Sequence, residues 1–211
     1  MKTMPVTNDR EYRHLAMTVR AREDAQETDM RVHGYATTFN EPYELYRHGK
    51  YVVLEQVDPH AFDECDLSDV IMQFDHAGRV YARTRNNTLT LSVDSHGLAI
   101  EADLSKTDSA KQLYEEIREG MVDRMSYGFI VAEDEWTVNH DRDSGKTTEL
   151  RTIRKVRKVF DVSAVSIPAN DGTSLATRTL CDGVIAKHEA ERLRAEQERA
   201  KLNLRLKMMG V

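Results

Sequence analysis

Short runs in which apolar and polar residues alternate fill most of the chain, and turn-forming residues close nearly every run. Leu15, Met17 and Val19 alternate with polar neighbours over residues 12–19, which predicts a strand with one buried face. Residues 21–29 are charged and turn-like; residues 31–39 resume as a strand until Asn40, Glu41 and Pro42 break it. β-branched and aromatic residues fill 51–57, and Pro59 ends that run. A short apolar run at 70–74 leads to His76, with a turn expected at Ala77 and Gly78. Leu89, Leu91 and Val93 alternate before Asp94-Ser95-His96-Gly97, and Leu98, Ile100 and Ala102 after it, the pattern of a hairpin.

The period then changes. Ala110, Leu113, Tyr114 and Ile117 recur at helical spacing, with Thr107 or Asp108 able to cap the start and Gly120 placed to end the helix. Strands are expected again over 124–132, 135–139, 147–154 and 159–167, with a polar turn at 140–146. After Asp171-Gly172 the composition shifts to Ala, Glu, Arg, Lys and Leu, which predicts one long helix over 185–209. Its apolar stripe (Ala186, Ala190, Leu193, Ala200, Leu204, Met208) is thin and suits an exposed or partner-binding helix. No internal repeat is visible. The organisation expected is a loose arm at 1–9, a β-rich α+β domain at 10–176, and a linker with a helical tail at 177–211.

Composition narrows the class. The chain has 211 residues, 40% hydrophobic and 31% charged, with a formal net charge of −6. An acidic balance argues against a general nucleic-acid binder, which shows a basic footprint. Cys65 and Cys181 form no CxxC pair and no secretory signal is visible, so a reduced, intracellular protein is expected. No apolar run approaches the roughly 18 residues a membrane span needs.

Candidate chemistry lies on three strand-like segments. Met125-Ser126-Tyr127-Gly128-Phe129 sets one serine on the face opposite Met125 and Tyr127, with Gly128 beside it leaving room for a substrate backbone. Phe74-Asp75-His76 ends on a histidine, and Phe160-Asp161-Val162-Ser163 holds a carboxylate. A serine, a histidine and an acid are the parts of an acyl-transfer site, whatever their order in the chain. Each has a plainer reading: Ser126 as a small residue in a packed strand, His76 as a turn histidine beside Asp75, Asp161 as an edge residue that limits aggregation. His60, Cys65, Asp75 and His76 are metal-ligand types, but their spacing matches no compact zinc pattern, and no metal is expected. No phosphate-binding glycine pattern is present, so no cofactor is expected. Basic and apolar residues alternate over part of 151–158, which reads as a strand with a solvated basic face.

Between Arg31 and Ser174 the chain resembles the prohead (capsid-maturation) serine proteases of tailed bacteriophages. The resembling pieces are Gly34-Tyr35-Ala36-Thr37-Thr38-Phe39-Asn40, Asp58-Pro59-His60-Ala61-Phe62, the His76 segment, the Met-Ser-aromatic-Gly-Phe run, and residues 160–170 ending in Pro168-Ala169-Asn170. Family members carry Pro-Leu-Gly-Arg soon after the histidine; here Gly78-Arg79 and Ala82-Arg83-Thr84 match only partly. The resemblance implies Ser126 as nucleophile, His76 as base and Asp161 as the acid that orients it. Herpesvirus assembly proteases, fold relatives of this family, use a second histidine in the third role, which keeps His140 as the alternative. The same resemblance implies a barrel-like, mostly antiparallel domain with flanking helices. It also implies a serine endopeptidase that cleaves scaffold segments of a capsid precursor, and itself, inside the assembling prohead in the host cytoplasm. Its partners would be that precursor and other copies of the chain, with no nucleic acid or membrane. Two rivals remain: a non-enzymatic scaffold-docking module, and a small-molecule esterase or amidase, which the lack of a Gly-x-Ser-x-Gly elbow disfavours. Pro168-Ala169-Asn170 could supply an oxyanion donor.

Overall fold

The computed structural model describes residues 10–18, 20–21 and 30–166, with side chains from Arg10 to Arg13 and from Met30 onward, and a few residues between 188 and 201. It divides into two compact units, Met1–Thr173 and Ser174–Val211. In the second unit the described residues His188, Ala190, Leu193, Arg194, Gln197, Glu198 and Lys201 are helical. The rest of the expected tail helix, the arm at 1–9, residues 22–29 of the turn-like stretch expected over 21–29, and Pro168-Ala169-Asn170 lie outside the described residues.

Besides a short 3-10 helix at Thr84–Asn86, the described residues of the first unit form eleven strands and one α-helix. They are β1 (Glu11–Thr18), β2 (Arg20–Ala21), β3 (Arg31–Thr38), β4 (Tyr43–His48), β5 (Tyr51–Val57), β6 (Ile71–Phe74), β7 (Ala77–Arg83), β8 (Leu89–Val93), β9 (Gly97–Asp103), α1 (Asp108–Arg118), β10 (Arg124–Asp141) and β11 (Lys146–Val165). The hairpin β8–β9 turns on Asp94, whose Oδ1 accepts from the backbone N–H of His96 (2.7 Å) and Gly97 (2.9 Å). Helix α1 begins where Thr107 Oγ1 accepts the Ala110 N–H at 3.2 Å, and it buries Ala110, Leu113, Tyr114 and Ile117. It ends at Gly120, whose φ of 72° falls in the left-handed region that closes helices.

Two segments expected as strand pairs are single long strands. Residues 124–141 and 146–165 run as an 18-residue and a 20-residue strand paired along their whole length. The polar stretch near Glu133 and Asp134 is a set of register shifts within the ladder, because a strand half exposed to solvent tolerates polar residues there. β2, β4 and β7 are additional to the expected elements, and β2 takes in Ala21, which was expected to be turn. The basic stretch at 151–158 is not uniformly solvated: Arg151 is buried, while Arg154, Lys155 and Lys158 pair with Glu135, Glu64 and Asp66.

β11 organises the larger sheet. One of its edges pairs with β10; the other takes β5 in parallel along Thr147–Ile153 and then β6 in parallel along Asp161–Ala164. The order is β1-β10-β11-β5-β4, with β7 beyond β6; β2-β3-β9-β8 form a second sheet. The expected barrel is therefore incorrect. Closure needs the last strand to pair with the first, yet β1, β4 and β7 end the first sheet, and β2 and β8 end the second. Both are open sheets. The core includes Val32, Leu98 and Ile100 from the smaller sheet, the buried face of α1, and Met125, Tyr127, Phe129 and Val162 from the larger one.

Candidate active site

Met125, Tyr127 and Phe129 are fully buried in the core, the two rings stacked at 4.3 Å, so the residues between them point the other way. On that opposite face Ser126 pairs with Ser163 of β11, and Gly128 pairs with Asp161. Immediately beyond, the register shifts so that Phe129 faces Val159, leaving Phe160 as the extra residue of a β-bulge. Asp161, opposite Gly128, thus stands next to the bulge and two residues from Ser163, the cross-strand partner of the serine.

His76 arrives from a third strand. β6 pairs with β11 up to Phe74 opposite Ala164, and Phe74 also pairs with Ala77 across a two-residue turn. Those two residues, Asp75 (φ 48°) and His76 (φ 56°), are both left-handed, as a primed hairpin turn requires. The turn thus lies two residues before the expected Ala77 and Gly78. Asp75 holds it: its N–H donates to Ala164 O at 3.0 Å, and its carboxylate accepts from Ser166 N (3.1 Å) and Oγ (3.0 Å). Left-handed conformation in non-glycine residues is costly and recurs at functional sites.

The result brings Ser126, His76 and Asp161 together. His76 Nδ1 is hydrogen-bonded to Asp161 Oδ2, and His76 Nε2 to Ser126 Oγ. An ionised carboxylate can only accept, so the hydrogen resides on Nδ1 and Nε2 is left to accept the serine proton. Ser163 Oγ donates to Asp161 Oδ2 at 3.1 Å, and Arg10 forms an ion pair with Oδ1. The Tyr12 ring meets His76 edge-on at 4.6 Å and 67°. Ser126 is fully buried and the Asp161 side chain is 1% exposed, while that of His76 is 12% exposed.

The space over Gly128 is not left to a substrate. A Cβ built there would stand 2.5 Å from Asp161 Oδ1 and 2.9 Å from both Arg10 Nε and Tyr12 Cε1. Glycine admits the acid and its neighbours. His140, the alternative third member, sits at the far end of β10, exposed, with Nδ1 3.0 Å from Thr147 Oγ1, and takes no part in this cluster. Burial pushes the Cys65 thiol up to about 12, which leaves little thiolate near neutral pH. His60 pairs with Asp63 at 3.1 Å on the surface. Among the described residues no three His, Cys, Asp or Glu side chains form a metal-ligand set.

Three neighbours went unnoticed in the sequence. Ser163 was legible, since it lies two positions from Asp161 in one strand and so on its face. Arg10 and Tyr12 were not, because only the pairing of β1 with β10 brings them to the acid.

Comparison with protein families matches residues 16–187 to the caudovirus prohead serine protease family. Comparison with curated proteins and with solved structures gave no match.

Proposed function

This chain belongs to the caudovirus prohead serine protease family, associated with phage prohead maturation, and from that premise we propose that it is a serine endopeptidase acting through Ser126, His76 and Asp161. One observation carries the reading: the imidazole of His76 is bonded at one nitrogen to Ser126 and at the other to Asp161. Ser126 Oγ attacks the scissile carbonyl carbon while its proton passes to His76 Nε2. The tetrahedral adduct collapses to an acyl-enzyme as the imidazolium returns that proton to the leaving amine. Water, deprotonated by His76, then releases the acyl group. Such general-base assistance contributes roughly 10²–10⁴-fold. Asp161 fixes the tautomer and stabilises the imidazolium. Because Ser126 is fully buried, the side chains above Oγ must part before acylation, a gating step separate from the chemistry.

The substrate in this reading is the scaffold segment of a capsid-protein precursor, cut inside the assembling prohead, with self-cleavage in the same compartment. The test is incubation of wild type and Ser126→Ala with the precursor, read by intact mass, and labelling with a fluorophosphonate. Wild type cleaves and labels once, on Ser126; the variant does neither. A wild type that docks on the precursor without cleaving or labelling would make the chain an assembly module instead.

A further inference from the structure

Asp161 is more firmly held than a bond to His76 alone would make it. Oδ2 takes His76 and Ser163, and Oδ1, the oxygen that His76 leaves unused, takes the Arg10 guanidinium. Arg10 is itself clamped: its Cζ lies 4.4 Å from the Phe160 ring centre and 5.2 Å from that of Tyr12. Tyr12 in turn packs edge-on against His76 at 4.6 Å. The missing side chain of Gly128 opens the space in which Arg10, Tyr12 and Asp161 meet. All of this depends on β1, whose Tyr12 is paired with Gly128. Residues 10–15 lie upstream of the family match, which begins at residue 16.

We propose that Arg10 is a positioning residue of the acyl-transfer site: it orients the Asp161 carboxylate, and through it the ring plane and tautomer of His76, so that the start of β1 is part of the catalytic unit. The proposal rests on the protease reading above. A guanidinium suits the task because it is always charged, presents several fixed donors and stacks on aromatic faces. A carboxylate shielded from water needs its lone pairs satisfied, and a rotated Asp161 would leave His76 free to swing. Arg10 bonds to the oxygen that His76 does not use, so it can remain in place throughout the reaction.

The experiment uses the full chain with Arg10→Ala and Arg10→Lys, each first checked by its thermal unfolding midpoint and assayed at a temperature where it is fully folded, because Arg10→Ala takes the partner from one oxygen of the buried Asp161 carboxylate. Fluorophosphonate labelling of Ser126 is measured as maximal rate and half-saturating concentration. Arg10→Ala should lower the maximal rate about 10²-fold with little change in half-saturation, as a misplaced catalytic group does. Arg10→Lys should fall in between, and added methylguanidine should restore part of the rate of Arg10→Ala. Labelling of Arg10→Ala at the wild-type rate, or faster, would overturn the proposal; faster labelling would make the segment a plug over the site. A slow variant that methylguanidine does not restore would overturn it too. Wild type that fails to label would instead overturn the underlying protease reading, a result independent of Arg10.

Discussion

Gly128 constrains the candidate site as tightly as the three reactive side chains do. An added methyl group would fall 2.5 Å from Asp161 Oδ1, a separation at which the carboxylate must move. Gly128→Ala should therefore slow fluorophosphonate labelling about 10²-fold through a displaced acid, and cost roughly 1–3 kcal/mol of stability from overpacking. Wild-type labelling in a folded Gly128→Ala protein would show that Asp161 need not stay where it is. Non-additivity is the companion test. If Ser126 and His76 act as one unit, Ser126→Ala, His76→Ala and the double variant should leave the same residual cleavage. Asp161→Asn should lower cleavage by up to about 10⁴-fold, as expected for a wrongly protonated imidazole. A double variant much slower than either single one would mean that the two residues act separately.

Among the elements, the turn joining β6 to β7 decides where the histidine goes. Glycine is the strongest local turn signal, which is why the sequence pointed to Ala77 and Gly78. The structure turns at Asp75 and His76 because pairing of β6 with β11 persists to Phe74 and because Ser166 holds the Asp75 carboxylate. Asp75→Ala removes two hydrogen bonds and a residue tolerant of left-handed backbone, so it should cost about 1–3 kcal/mol in urea unfolding. It should also slow labelling of Ser126, since His76 occupies the next position of the same turn. Asp75→Asn, which keeps the left-handed tolerance, should lose less of both. Equal effects of Ala and Asn would mean that the charge of Asp75, rather than its backbone preference, sets the turn. β10 and β11 illustrate the opposite limit of legibility. Their alternating faces were readable, but their continuity past the polar stretch follows from a ladder of cross-strand bonds that no local window contains.

Across the whole molecule, a buried ionic network joins the strands of the larger sheet. Glu55 of β5 accepts from Arg13 of β1 at 2.5 and 2.8 Å and from Arg151 of β11 at 2.8 Å, and Tyr43 of β4 donates to it. Arg151 also reaches Glu11 at 2.7 Å and Asp134 of β10 at 2.6 Å. Burial alone would raise the Glu55 carboxyl, but the Arg13 and Arg151 guanidiniums outweigh it and hold it at about 2. A depressed carboxyl stabilises the fold above its unfolded value near 4.5, and that contribution is lost as pH falls toward about 2. The thermal midpoint should accordingly drop through that window, and Glu55→Gln should flatten the drop. At neutral pH Glu55→Gln should cost roughly 3 kcal/mol, because Arg13 and Arg151 each lose one buried counter-charge while Glu11 and Asp134 remain beside them. An unchanged midpoint would remove the network from the stability argument. In the proposed reading, the tail helix expected over residues 185–209 docks the chain on its precursor. Deleting it should leave fluorophosphonate labelling intact and weaken precursor cleavage, as loss of a tethering contact does; loss of labelling together with folding would contradict that role. By itself the sequence determined what depends on near neighbours: the strand faces, the helix with its cap at Thr107 or Asp108, the β8–β9 hairpin, and Ser126 and Asp161 on strands with His76 just past the end of one. Tertiary structure alone decided the rest. Two parallel partners sharing one edge of β11, the bulge at Phe160, the open sheets where a barrel was expected, and the arrival of Arg10 beside Asp161 all depend on pairing between distant segments. The energy of such pairing is set by which strand edges and buried charges find partners, and alternation along one strand does not record it.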